Sequence, residues 1–149
     1  MPIPEDDSPF SRERRSELLA RGEPTELMEL ADECLAGRPD PVVIVPPQIG
    51  CVTAQVREPI VGQRFLLGDV LACRAEVELD GQRGWAMRLD ENRSAVLAAA
   101  ILDAAAQHGP TEAARVDALC RRVAGRLRDQ DQAEWAELAP TAVKFEELR

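Results

Sequence analysis

RFLLGDVLACRAEVELDGQRGW, residues Arg64 to Trp85, is the stretch on which the fold turns. From Leu71 to Leu79 the apolar side chains occupy odd positions (Leu71, Cys73, Ala75, Val77, Leu79), while Arg74, Glu76 and Glu78 occupy even ones. A period of two with one polar face marks a half-buried strand. Asp80-Gly81 is turn chemistry, because glycine accepts φ > 0 without a Cβ clash. Beyond it, Trp85, Met87 and Leu89 alternate with Gly84, Ala86 and Arg88 as a return strand. A two-residue loop would set Val77 opposite Gly84 and put Trp85 on the face of Glu76. A one-residue slip exchanges the two faces, so burial of the apolar set predicts an odd-length loop. Val77 then lies opposite Trp85 and Ala75 opposite Met87, with Trp85 in the core layer beneath a helix.

Upstream, Val42-Val43-Ile44-Val45 is a β-branched run that reads as a strand. Pro46-Pro47 is expected to end it, since neither proline donates a ladder hydrogen bond. Gln48-Ile49-Gly50 then turns the chain into a second strand from Cys51 to Arg57. Glu58 to Gln63 loops to Arg64, which makes four strands in an antiparallel meander. Before the sheet, Ser11 to Arg21 and the stripe Leu27, Leu30, Ala31, Cys34, Leu35 predict a helical hairpin broken at Gly22 and stopped at Gly37. Pro24 suits the first turn of the second helix.

Downstream, Asp90 or Asn92 is placed to cap an alanine-rich helix from Arg93 to His108, apolar nearly all round and set against the sheet. Thr111 is expected to cap a further helix with Val116, Leu119, Cys120, Val123 and Leu127 inward. Arg115, Arg121, Arg122, Arg126 and Arg128 read as its solvated face, balanced by nearby acids. Pro140 stops this helix after Leu138, and an extended segment follows. The fold class is α+β: a four-stranded antiparallel meander covered by helices, with an N-terminal helical hairpin and an extended C-terminal segment. Residues 1–10 form a tail, 11–139 one domain, and 140–149 an arm.

The 149 residues are 45% hydrophobic, 30% charged and only 3% aromatic, so the core is built from Ala, Val and Leu. A net charge of −9 argues against nucleic acid or an anionic membrane as partner. The longest apolar stretch, Ala95 to Ala106, is too short to span a bilayer, and a cytoplasmic location is expected. Cys34, Cys51, Cys73 and Cys120 are scattered without a C-x-x-C pair and read as buried free thiols rather than metal ligands. His108, the one histidine, reads as a helix-terminus residue.

Taken together, these residues resemble the G subunit family (PhnG) of the bacterial carbon–phosphorus lyase core complex. The resemblance runs over Arg15 to Leu148. It is carried by Arg15 to Ala20, Glu23-Pro24-Thr25-Glu26-Leu27, Pro46-Pro47-x-x-Gly50, Arg64-Phe65-Leu66-Leu67-Gly68-Asp69, Cys73-Arg74-Ala75, Asp90, Leu102-Asp103-Ala104 and Val143-Lys144-Phe145. The chain departs from the family pattern at Glu58 to Gly62, at Arg88 to Glu91 and at Ala142, which marks a diverged branch. The resemblance implies a subunit of an assembly that displaces adenine from ATP with a phosphonate, forming a ribose phosphonate triphosphate. ATP is then a substrate of the complex, and this chain binds no cofactor of its own. Subunits of the I, H and J types are the implied partners, with the first chemistry in the I type.

The residues themselves show no nucleophile–base pair, no phosphate loop before a helix and no metal cluster, so no catalytic or metal-binding residue is assigned. Arg57, Arg64, Asp69, Arg74 and Asp90 are the candidate ligand or partner contacts, since arginine clamps phosphate oxygens bidentately. The competing assignments are ion pairs for Arg64 and Arg74, a turn for Asp69, a helix cap for Asp90, or an acid–base enzyme using Asp69 and Asp90. A diverged adaptor or small-ligand module is the alternative to the lyase role. Val143 and Phe145 alternate on one side of the C-terminal arm and are the candidate assembly residues, docking as an added strand on another chain or exchanging within a homodimer.

Overall fold

A computed structural model describes residues 9–143; Lys144 and Phe145, and with them most of the expected C-terminal arm, lie outside the described residues. The elements run α1 (Arg12–Leu19), α2 (Pro24–Leu35), β1 (Val42–Arg57), β2 (Arg64–Leu79), β3 (Gln82–Arg88), α3 (Arg93–Ala106) and α4 (Pro110–Leu138), with a 3₁₀ turn at Ala139–Thr141. The fold is α+β, with one antiparallel sheet in the order β1-β2-β3.

Among the described residues the sheet has three strands rather than four. Pro46 and Pro47 do not end the first strand: β1 continues through them for 16 residues, with register shifts between Val43 and Val45 and between Val45 and Gln48. A proline pair is tolerated there because β1 is an edge strand and the bulges leave its donors unrequired by the ladder. The helical starts follow their local chemistry. The Ser11 hydroxyl accepts the N–H of Arg14, Pro24 opens α2, and the Asn92 side chain accepts the N–H of Ala95. Thr111 is not a cap; Gly109 holds that position and Pro110 is the first helical residue of α4. α1 and α2 do not form a self-contained hairpin, because α1 packs on α4 and α3, and α2 chiefly on α3. Phe10, assigned from sequence to the tail, packs against the core, and the Arg121 guanidinium lies 5.7 Å from its ring centroid.

The register of the central hairpin also differs from the expectation. Leu79 pairs with Gln82, Val77 with Gly84, Glu76 with Trp85 and Ala75 with Ala86. The loop is therefore the two-residue Asp80-Gly81, with φ of 48° and 79°, as a type I′ turn requires. Gly84, Ala86 and Arg88 face the core, whereas Trp85 shares the face of Glu76 and is 39% exposed. The reason is space. α3 lies so close to β3 that a Cβ on Gly84 would sit 2.0 Å from the Ala100 carbonyl oxygen and 2.6 Å from the Ala104 nitrogen. No side chain fits there, and the alanines of α3 make the approach possible. From Ala95 to Ala106 every residue but Leu97 is buried.

The register makes opposite demands on neighbouring positions. Gly84→Ala should destabilise the chain by about 1–3 kcal/mol or more, as overpacking against backbone does. Trp85→Ala should cost less, under the ~3–5 kcal/mol typical of buried aromatics. Urea unfolding of the two variants checks the order, and a larger loss at Trp85 would contradict this register.

Candidate functional site

Beyond Cys73, β2 has no β3 neighbour, because β3 ends at Arg88 opposite that residue. β1 and β2 continue alone as a two-stranded arm out to Arg57 and Arg64. At its root is a groove of ≈ 270 Å³ lined by Gln48 to Val52, Ala72 to Arg74, and Met87. Gln48 lies opposite Arg74, and Met87 flanks Arg74 on the other strand. The Arg74 side chain has no carboxylate partner among the described residues. It therefore offers an unneutralised guanidinium beside an apolar floor, an arrangement suited to an anionic or carboxylate-bearing partner group.

The five candidate contacts do not converge on one point. Arg57 and Arg64 are cross-strand neighbours at the arm's tip, both exposed. Glu58, next to Arg57 in the chain, holds the turn: its carboxylate accepts the N–H groups of Ile60 (2.9 Å), Val61 and Gln63. Asp69 is in the strand rather than in a turn, and its carboxylate accepts the Thr53 hydroxyl at 3.1 Å. Strand alternation puts Asp69 and Arg74 on opposite faces. Asp90 is not the helix cap but the anchor before it. Its carboxylate accepts two Arg88 bonds at 2.8 and 3.0 Å and the Asn92 N–H at 3.0 Å, with the Cys73 thiol 3.5 Å away.

Arg88 is the residue that the sequence pattern concealed. It is buried on the core face, and Nη1 donates to the carbonyl of Gly22 at 2.9 Å, tying the end of β3 to the turn after α1. Asp103 is a second. It is buried within α3, accepts the Trp85 N–H at 3.0 Å and pairs with Arg12 at 2.9 Å. Arg12 and Gln107 also donate to the Arg83 carbonyl, so the outer edge of β3 is capped at Arg83 and Trp85. A third buried pair, Arg15 with Asp117 at 2.8 Å, joins α1 to α4. Three of the five arginines of α4 are balanced by acids, Arg115 by Glu33 and Arg122 and Arg126 by Glu26, whereas Arg121 is half-buried over the Phe10 ring. His108 sits just past α3, 3.7 Å from Asp80.

The thiols fall into two groups. Cys34, Cys73 and Cys120 are buried, but Cys51 is exposed, contrary to the sequence expectation. Burial raises the pKa of Cys34 and Cys73 and pushes Cys120 up to about 12. All three stay protonated at neutral pH and unreactive. Among the described residues, no group of three or more His, Cys, Asp or Glu could hold a metal ion, and no helix is long and apolar enough to cross a membrane.

Burial works to raise the Asp90 pKa, but the Arg88 hydrogen bonds and the Asn92 N–H outweigh it and hold the carboxyl below its ordinary value.

The family model described as "Phosphonate metabolism protein PhnG" matches residues 10–149. No curated protein matches the chain.

Two outcomes test this geometry. Alkylation of the native chain near pH 8 should label Cys51 rapidly and the other three thiols only after unfolding; rapid labelling of Cys73 would show that its contact with Asp90 opens. Because the folded Asp90 carboxyl has a depressed pKa, its stabilisation is present above the unfolded carboxylate value and is lost as pH falls through the folded one. Asp90→Asn should therefore weaken the chain at neutral pH and flatten its stability profile on acidification. An unchanged acid limb would remove Asp90 as the contributor.

Proposed function

The chain belongs to the PhnG family of phosphonate metabolism proteins, whose members are subunits of the carbon–phosphorus lyase complex, and on that premise we propose that it is an accessory subunit for adenine displacement. In this reading the complex transfers the ribose triphosphate part of ATP to a phosphonate and releases adenine, with the chemistry held by an I-type subunit. This chain contributes surface rather than a reacting group. The match over residues 10–149 carries the reading.

Three features of the molecule support this reading. The groove at the root of the arm, with Arg74 between Gln48 and Met87, is the surface we assign to the catalytic partner. Asp69 and Thr53 bond across the arm beyond it, and the Arg88–Asp90 pair fixes the end of β3. H- and J-type subunits complete the assembly. The segment after α4 is assigned a docking role, with Val143 exposed at its start and Phe145 the second anchor. Such an arm gains affinity from backbone pairing and register from alternate side chains.

The test is reconstitution. The purified chain alone should release no adenine from ATP and a phosphonate, and the I-type subunit should do so efficiently only with this chain present. Arg74→Glu should reduce binding to that subunit by about tenfold or more, as charge reversal at an interface does. Adenine release by this chain by itself, or full activity of the complex without it, would overturn the assignment.

A further inference from the structure

Two parts of the molecule stand clear of the body, and both leave from the same end. The arm begins where β2 passes Cys73, opposite Arg88, and at ~3.3 Å per residue it extends about 30 Å to Arg64. α4 starts near the Asp80-Gly81 turn, where Arg38 bridges Asp80 and Glu112. It packs on α1 and α3, and Leu127 and Gln130 line one pocket with Met87, Leu89 and Asp90. It then continues past that end for about 12 Å from Gln130 to Leu138, at ~1.5 Å per residue. Every residue of α4 from Arg128 onward is exposed.

The two projections have complementary chemistry. The tip of the arm carries Arg57 opposite Arg64, with the exposed Leu66 on the same face and the exposed Phe65 on the other. Like charges directly opposed on a ribbon are destabilising, and neither arginine has an ion pair among the described residues. Glu58 makes no ion pair with them, its carboxylate accepting the turn's N–H groups instead. The end of α4 has the opposite sign. Asp131, Glu134, Trp135 and Leu138 recur at helical spacing, so acids and apolar side chains share one stripe, with Glu137 beside it. Trp135 is 69% exposed, and none of these three acids has an ion pair among the described residues.

We propose that the arm's tip docks on the end of α4 of a second copy of this chain, and reciprocally, in a twofold dimer. Two copies meeting through the end from which both projections leave bring each arm beside the other's helix. A closed twofold arrangement satisfies both contacts at once. Arg57 and Arg64 gain Asp131, Glu134 and Glu137 as partners, and Leu66, on the same face of the arm, covers Trp135 and Leu138. The contact uses neither the Arg74 groove nor the segment beyond residue 141, so it is separate from the surfaces assigned to the other subunits.

Charge exchange tests it. Sedimentation equilibrium of the full-length chain should show a dimer. The variant Arg57→Glu/Arg64→Glu should be weakened by about tenfold or more in self-association, and so should Asp131→Arg/Glu134→Arg/Glu137→Arg. Mixing the two variants should restore a dimer, because each mutant arm then meets a mutant helix of opposite charge. Restoration also shows that both variants are folded. A monomeric wild-type chain, an arm variant that still dimerises, or a mixture that stays monomeric would each overturn the proposal. Loss of binding to the I-type subunit in the arm variant, with a monomeric wild type, would assign the arm to that subunit instead. That result would sink the second-copy dimer and leave the accessory role standing.

Discussion

The contact of α3 with Gly84 sets the geometry of the whole body. With a built Cβ only 2.0 Å from the Ala100 oxygen, the helix axis can lie over β3 only if that position has no side chain. The neighbouring inward positions are small for the same reason: Ala75 and Ala86 face each other across the hairpin, and α3 meets them with alanines. A chain that is only 3% aromatic has few large side chains to fill a wide gap in its core, so close approach of backbones supplies the packing density instead. Once Gly84 faces inward, strand alternation forces Trp85 outward and Arg88 inward.

That inward arginine would be costly if unpaired, because a buried charge loses its hydration. It is compensated by Asp90 and by the carbonyl of Gly22. Asp103 is compensated similarly by Arg12 and the Trp85 N–H. Both networks join elements far apart in sequence, and with Arg15–Asp117 they hold α1 against the rest of the molecule. α1 is short, with only Arg15, Leu18 and Leu19 buried, so directional charge pairs do for it what apolar area does for α3.

Helix limits were legible because their signals are local: Ser11, Pro24, Asn92 and the stop before Pro140 each act through one or two backbone groups. The period of β2 was legible as well. The register was not, since Trp85 and Met87 look like core residues until the proximity of α3 is known, and that proximity is a tertiary fact. The prolines misled for a related reason: whether a strand survives Pro46-Pro47 depends on whether it is an edge, which only the assembled sheet reveals. Of the candidate contacts, the pairing of Arg57 with Arg64 follows from a hairpin alone. The partnership of Asp90 with Arg88 was hidden, because the wrong register pointed Arg88 at solvent.

The arm poses a different physical problem from the body. A two-stranded ribbon without a covering layer is marginal in water, yet β1 and β2 remain paired to Arg57 and Arg64. Local chemistry supports the tip: the Glu58 carboxylate gathers the N–H groups of its turn, and Thr53 bonds across to Asp69. Neither contact buries apolar surface, so Leu67, 66% exposed, still faces water. An element whose backbone is ordered before its side chains are covered loses little conformational freedom when a surface arrives. The same holds for the last turns of α4, already helical and bare on every side. Order without burial is what a subunit needs at its contacts, and here it is concentrated at one end of the molecule, away from the packed contact between α3 and Gly84.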